Sequence, residues 1–93
     1  MMIVDAFAYD SMKDRPVAVE IHDAFVWVTL ADGRVIGNPL AWHRWLEAAT
    51  PEQQTHVEFH HYSVDWTDLD EGLDIQGMLM GIRPTQPTPT LSA

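Results

Sequence analysis

The clearest apolar–polar alternation in the chain runs from Val17 to His22. Val17, Val19 and Ile21 share one face of an extended backbone, and Glu20 and His22 share the other. That period predicts a strand. Phe25 to Leu30 (FVWVTL) is denser in β-branched and aromatic residues, which pack well on a pleated surface. Both of its faces are apolar, one with Val26, Val28 and Leu30, the other with Phe25, Trp27 and Thr29. His22-Asp23-Ala24 between the two runs is a short turn. Asp32-Gly33 follows, and these residue types tolerate the positive φ of a type I′ hairpin turn. Arg34 to Gly37 reads as the return strand, so residues 17–37 predict a β-meander. Residues 2–9 alternate less cleanly and predict a further strand. Asp10 to Pro16 reads as a polar loop.

The period changes after Gly37. Asn38 is a capping type and Pro39 suits the first helical position, where a missing N–H costs nothing. Trp42, Trp45, Leu46 and Ala49 follow at i, i+3, i+4 and i+7, predicting a helix over about 39–49. Thr50-Pro51 ends it. Thr50 and Gln53 have capping-box spacing for a short second turn. His56 to Tyr62 returns to alternation, with Val57 and Phe59 against His56, Glu58 and His60, and Ser63 to Trp66 continues it or pairs with it. An acidic turn comes next, with Asp65, Asp68, Asp70, Glu71 and Asp74. Asp74 is the expected N-cap of a last helix over about 75–80. Leu73 and Met78 form its hydrophobic staple, and Gly81 sits just past its end. From Arg83 the chain is rich in proline and threonine.

These elements predict an α+β fold. An antiparallel sheet of three to five strands carries one main helix (about 39–49) and a short C-terminal helix (about 75–80) on one face. Residues 1–82 form the single domain, and 83–93 are expected to be a disordered tail.

Composition narrows the partners. The chain has 93 residues, no cysteine and a net charge of -9, with Lys13, Arg15, Arg34, Arg44 and Arg83 as its basic residues. Neither disulfides nor thiolate metal sites are available. Scattered basic residues argue against direct nucleic-acid binding and against anionic membranes. No stretch is long and apolar enough to span a bilayer, and the N-terminus lacks the basic region of a signal peptide. The expected location is the cytoplasm. A basic protein partner suits the charge, and so does simple solubility.

Three blocks carry a resemblance: LADGR (Leu30 to Arg34), PLAWHRWLEAATPEQ (Pro39 to Gln53) and WTDLDEGLDIQGMLMG (Trp66 to Gly81). In this order and spacing they resemble the small bacterial domain-of-unknown-function family 2442, over about residues 17–81. His43 and Arg44 stand where that family commonly has a proline, and Gly72 stands where a second aspartate is usual. The resemblance implies an α+β fold and no established activity. It also implies a setting in which some relatives carry a helix-turn-helix domain and others neighbour suspected toxin–antitoxin partners.

Candidate chemistry divides by residue type. The acidic turn Asp68, Asp70, Glu71 and Asp74 offers oxygen ligands for Ca²⁺ or Mg²⁺, but its spacing lacks the EF-hand order. Its structural reading is capping of turns and helix starts. His56, Glu58 and His60 offer transition-metal ligands on one strand face, against the plainer reading of a solvated face. Trp42 and Trp45 line a ligand groove or, more simply, belong to the core. His43 and Glu47 form an i, i+4 pair of acid/base type, mostly a surface feature. Pro84 to Pro87 matches a PxxP motif that arises often by chance. No nucleophile, base and orienting group assemble into an enzyme site, and no cofactor is expected. Phe25 and Trp27 form the second apolar face of their strand, which a chain this short does not easily cover. A second copy would cover it, giving a homodimer, against the plainer reading that the N-terminal strand or the tail folds across it. The leading expectation is a non-enzymatic interaction module, dimeric and binding another protein, in an antitoxin-like or adaptor role. The alternative is a small-ligand or metal-binding domain using the His56/Glu58/His60 face or a Trp-lined groove.

Overall fold

The computed structural model describes residues 8–83. The expected strand at 2–9 is represented there by Ala8 and Tyr9 alone, which are not in a strand, and the rest of it lies outside the described residues. So do the PxxP segment and the remainder of the tail. The architecture is α+β, with two three-stranded antiparallel sheets and four short α-helices among the described residues.

Strands β1 (Pro16–His22), β2 (Phe25–Leu30) and β3 (Val35–Pro39) form the first sheet in that order. The β1–β2 connection is a two-residue turn in which Asp23 and Ala24 both adopt positive φ, at 55° and 65°. The type I′ geometry therefore occurs here, at Asp-Ala. Asp32-Gly33 belongs to a wider loop instead. Gly33 N–H donates to Leu30 C=O at 2.9 Å and Leu30 N–H donates to Arg34 C=O at 2.8 Å. Gly33 alone is left-handed there, with φ 97°. An L-residue with a Cβ pays for φ > 0 by steric crowding. Ala24→Gly is accordingly expected to raise stability by about 1 kcal/mol, read as a higher urea midpoint at unchanged slope. The core face of this sheet carries Val26, Val28 and Leu30, with Val19 and Ile21 packed against them. Val17 does not join Val19 and Ile21. A bulge between Pro16 and Ala18 turns it outward, leaving it 45% exposed.

The expected loop at 10–16 contains a helical turn, α1 (Ser11–Asp14), capped by the Asp10 side chain accepting from Met12 N–H. Asp14 at its end is fully buried. It accepts from Asp10 N–H at 2.8 Å and from Lys13 Nζ at 3.3 Å, and it pairs with Arg34. Burial pushes this carboxyl up, but those donors outweigh burial and hold it below the ordinary carboxylate value. Arg34 also grips Asp32 at 2.7 Å. One buried acid thus clamps the β2–β3 loop to the start of β1.

The single helix expected at 39–49 is not formed. Asn38 and Pro39 are the last residues of β3, opposite Val26 and Phe25. A 3-10 turn (Leu40–Trp42) and a short helix α2 (Arg44–Glu47) follow, separated by His43 at φ -124°, ψ 79°. The break has a cause. The Asn38 amide does not cap a helix. It donates to buried His43 Nε2 at 3.0 Å, holding that ring in the core. With Nε2 accepting, the imidazole is neutral with its proton on Nδ1, and burial lowers its pKa accordingly. The His43 carbonyl then accepts from Leu46 and Glu47 N–H, starting α2.

Helix α3 (Pro51–Thr55) has the capping box of Thr50 and Gln53, as its spacing predicts. The second sheet is β4 (Val57–Phe59), β5 (Ser63–Trp66) and β6 (Glu71–Asp74). The alternating run at 56–62 is therefore shorter than expected, and half of the acidic turn is a strand. Helix α4 (Ile75–Leu79) is capped by Asp74 through Gly77 N–H at 3.1 Å. Ile82 N–H donates to Gly77 C=O and Gly81 N–H to Met78 C=O, with Gly81 at φ 74°. That is the Schellman closure its sequence suggests. Leu46, Val64, Trp66, Leu73 and Ile75 join the first sheet's valines in one core, so both sheets bury their facing sides together.

Candidate functional site

The outer face of the first sheet is built by register. Glu20, Trp27 and Gly37 lie side by side across the three strands. Phe25 and Trp27 are half-buried and stack with centroids 5.1 Å apart, and the His22 ring also stacks with Trp27 at 5.7 Å. The indole Nε1–H donates to His22 C=O at 3.3 Å. The ring lies flat over Gly37, where an added Cβ would meet Trp27 Cε3 at 2.5 Å. Glycine is needed there to seat the indole. Beside it a shallow depression of about 360 Å³ is lined by Ala18, Glu20, His22, Thr29 and Val35. Val35 is 55% exposed. This face carries stacked aromatics and an exposed valine on the side of the sheet away from the core.

The outer face of the second sheet is acidic. Glu58, Asp65 and Gly72 are neighbours across it. His60 Nε2 approaches Asp65 at 3.3 Å and Glu58 at 3.5 Å. His56 is not on β4; it ends α3 and pairs through Nδ1 with Asp68 Oδ2 at 2.7 Å. The Asp68 carboxylate raises the His56 pKa. His56, Glu58 and His60 are therefore divided between two separate carboxylate pairings. Among the described residues no group of three or more His, Asp or Glu side chains is placed to hold a metal ion. Asp70 takes the left-handed position of the β5–β6 turn at φ 55°, and Asp74 caps α4. Gly72 leaves room for the Asp65 carboxylate, which a side chain at 72 would displace.

Other sequence candidates are placed in the core or apart. Trp45 packs edge-on against Trp66 at 5.4 Å, and Arg83 lies over the Trp42 ring at 5.5 Å. His43 is buried while Glu47 is exposed. The buried Asp14–Arg34 clamp was not anticipated from the sequence. Its one local signal is Asp10 placed to cap the residues that follow.

The chain matches the family described as "Protein of unknown function (DUF2442)" over residues 16–84, and it belongs to that family. A crystal structure described as a protein of unknown function from Rhodospirillum rubrum is similar, with a TM-score of 0.64 and 29% identity. The match covers 77% of this chain and 92% of that one. No curated protein matches. No helix among the described residues is long and apolar enough to cross a membrane.

Proposed function

We propose that this chain is a protein-interaction module rather than an enzyme. It self-associates through the outer face of its first sheet and offers an acidic face to a basic protein partner. The observation that carries this reading is the stacked Phe25–Trp27 pair beside exposed Val35, on the side of the sheet turned away from the core. A two-fold partner lays the same patch against itself, so the part of each aromatic pair left uncovered by its own chain is covered by the other copy. The charge distribution supports the second half of the proposal. Between Arg44 and Arg83 the chain has no Lys or Arg but eight carboxylates, Glu47, Glu52, Glu58, Asp65, Asp68, Asp70, Glu71 and Asp74. A field of one sign attracts and orients an oppositely charged partner. An antitoxin-like or adaptor role in the cytoplasm accords with such a surface.

Val35→Glu tests the self-association. Val35 is exposed, so the variant is expected to keep its fold by circular dichroism while sedimenting as a monomer. A Val35→Glu protein that remains a dimer would sink the proposed face. Trp27→Glu is the harsher companion, because the indole also covers Gly37.

A further inference from the structure

Two edge strands run along one flank of the molecule. β1 is the outer strand of the first sheet and β4 of the second. Their turns determine which backbone groups point outward. His22 and Phe25 close a two-residue turn, so they exchange ladder hydrogen bonds, and by alternation so do Glu20 and Trp27. The N–H and C=O groups of Val19 and Ile21 therefore point away from β2. In the second sheet His60 N–H donates to Ser63 C=O at 2.8 Å. The same alternation turns the backbone groups of Val57 and Phe59 outward.

Among the described residues neither edge carries a further strand, and the two flank an apolar groove of about 650 Å³, whose apolar lining is Val17, Val19, Ile21, Pro51, Val57 and Phe59. Val17 is 45% and Phe59 41% exposed. An edge with unpaired backbone groups and apolar side chains is a template for another strand. The charge around the groove selects what kind of strand. Glu20 is in the lining and Glu52 follows Pro51 on α3. The nearby cations are engaged elsewhere. Lys13 and Arg34 bind Asp14, and Arg15 turns back onto the Ser11 and Met12 carbonyls.

We propose that this groove binds an extended segment of another protein, which adds as a strand along the free edge of β1. Alternate apolar side chains of that segment enter the groove, and Lys or Arg at the intervening positions meet the acidic rim. A second copy is the wrong occupant of this groove, since a two-fold contact there would set Glu20 and Glu52 of one copy against the same acids of the other. The site adjoins the Phe25–Trp27 face, sharing Ala18, Glu20 and His22 with the depression there, but its apolar lining from Val19, Ile21, Pro51, Val57 and Phe59 is its own.

The test uses the full chain and two synthetic peptides, Lys-Val-Lys-Val-Lys-Val-Lys and Glu-Val-Glu-Val-Glu-Val-Glu, followed by amide NMR. The basic peptide is expected to shift the amides of β1 and β4 and to slow hydrogen exchange at Val19 and Ile21. Its binding should weaken with added salt, and the acidic peptide should not bind. Phe59→Lys, at an exposed position, is expected to weaken binding by about tenfold without changing the mass of the free protein. Val35→Glu is expected to leave peptide binding intact, which separates this proposal from the dimer. Four results would overturn it: no binding of the basic peptide, equal binding of the acidic one, shifts confined to other surfaces, or a mass change in Phe59→Lys. The last would make the groove a self-interface.

Discussion

Trp66→Ala is expected to remove about half of the protein's folding stability. Trp66 is the largest fully buried side chain, and it sits where the two sheets and α3 meet. Trp45 packs on its edge, and its Nε1–H donates to Gln54 C=O at 3.0 Å, tying the end of α3 to β5. Truncating a buried aromatic to alanine costs about 3–5 kcal/mol through lost contacts and the cavity left behind. A domain of this length holds roughly 5–10 kcal/mol in total. Trp66→Phe separates the two contributions. It keeps most of the apolar surface and gives up the hydrogen bond, so a loss of about 1–2 kcal/mol is expected. Urea unfolding followed by circular dichroism reads both. A Trp66→Ala midpoint close to wild type would mean that the core is centred elsewhere.

Asp14→Ala carries the second large effect, about 2–3 kcal/mol. The carboxylate is buried among three donors, while its main partner Arg34 keeps 43% of its side chain exposed. Losing Asp14 therefore strands a backbone N–H more than a charge, which keeps the cost below that of a fully buried pair. The pH dependence has a definite sign. Asp14 is held below its ordinary value, so the unfolded chain takes up a proton first as pH falls. Its contribution is complete above the ordinary carboxylate range and is lost as pH falls through the folded value. His43 acts in the same direction. Burial holds it below its ordinary 6.5, so stability declines as pH drops beneath that value. His56 acts in the opposite direction. Asp68 raises it, so its contribution is present in acid and disappears as pH rises through the folded value. That pair is exposed, and water screens it to a small effect. Wild type is expected to lose stability steadily on acidification, and Asp14→Ala to do so with a shallower acid limb. Parallel limbs would remove Asp14 from the account.

Local signals that close on themselves were legible in the sequence. The Thr50–Gln53 capping box, the Asp74 cap and the Gly81 closure are each specified within a few residues, and each is present. Signals that depend on distant partners were not. The Trp42/Trp45/Leu46 stripe gives a correct buried side but not a continuous helix, because His43 is drawn into the core by Asn38. Asp32-Gly33 resembles a two-residue turn locally, but the Asp14–Arg34 clamp across twenty positions favours a wider loop. The Glu71–Asp74 strand was hidden by its acids, which face solvent while Leu73 alone enters the core. Of the candidate site, the Phe25–Trp27 face was legible from the strand's double apolar pattern. The groove between β1 and β4 was not, because nothing in the chain says that two sheets form or which edges they leave open.

The central claim is that the Phe25–Trp27 face holds two copies together, and sedimentation of the wild-type chain at micromolar concentration tests it most directly. The account predicts a single species of twice the 10.6 kDa chain mass, converted to monomer by Val35→Glu. A wild-type protein that sediments at 10.6 kDa throughout that range would contradict it.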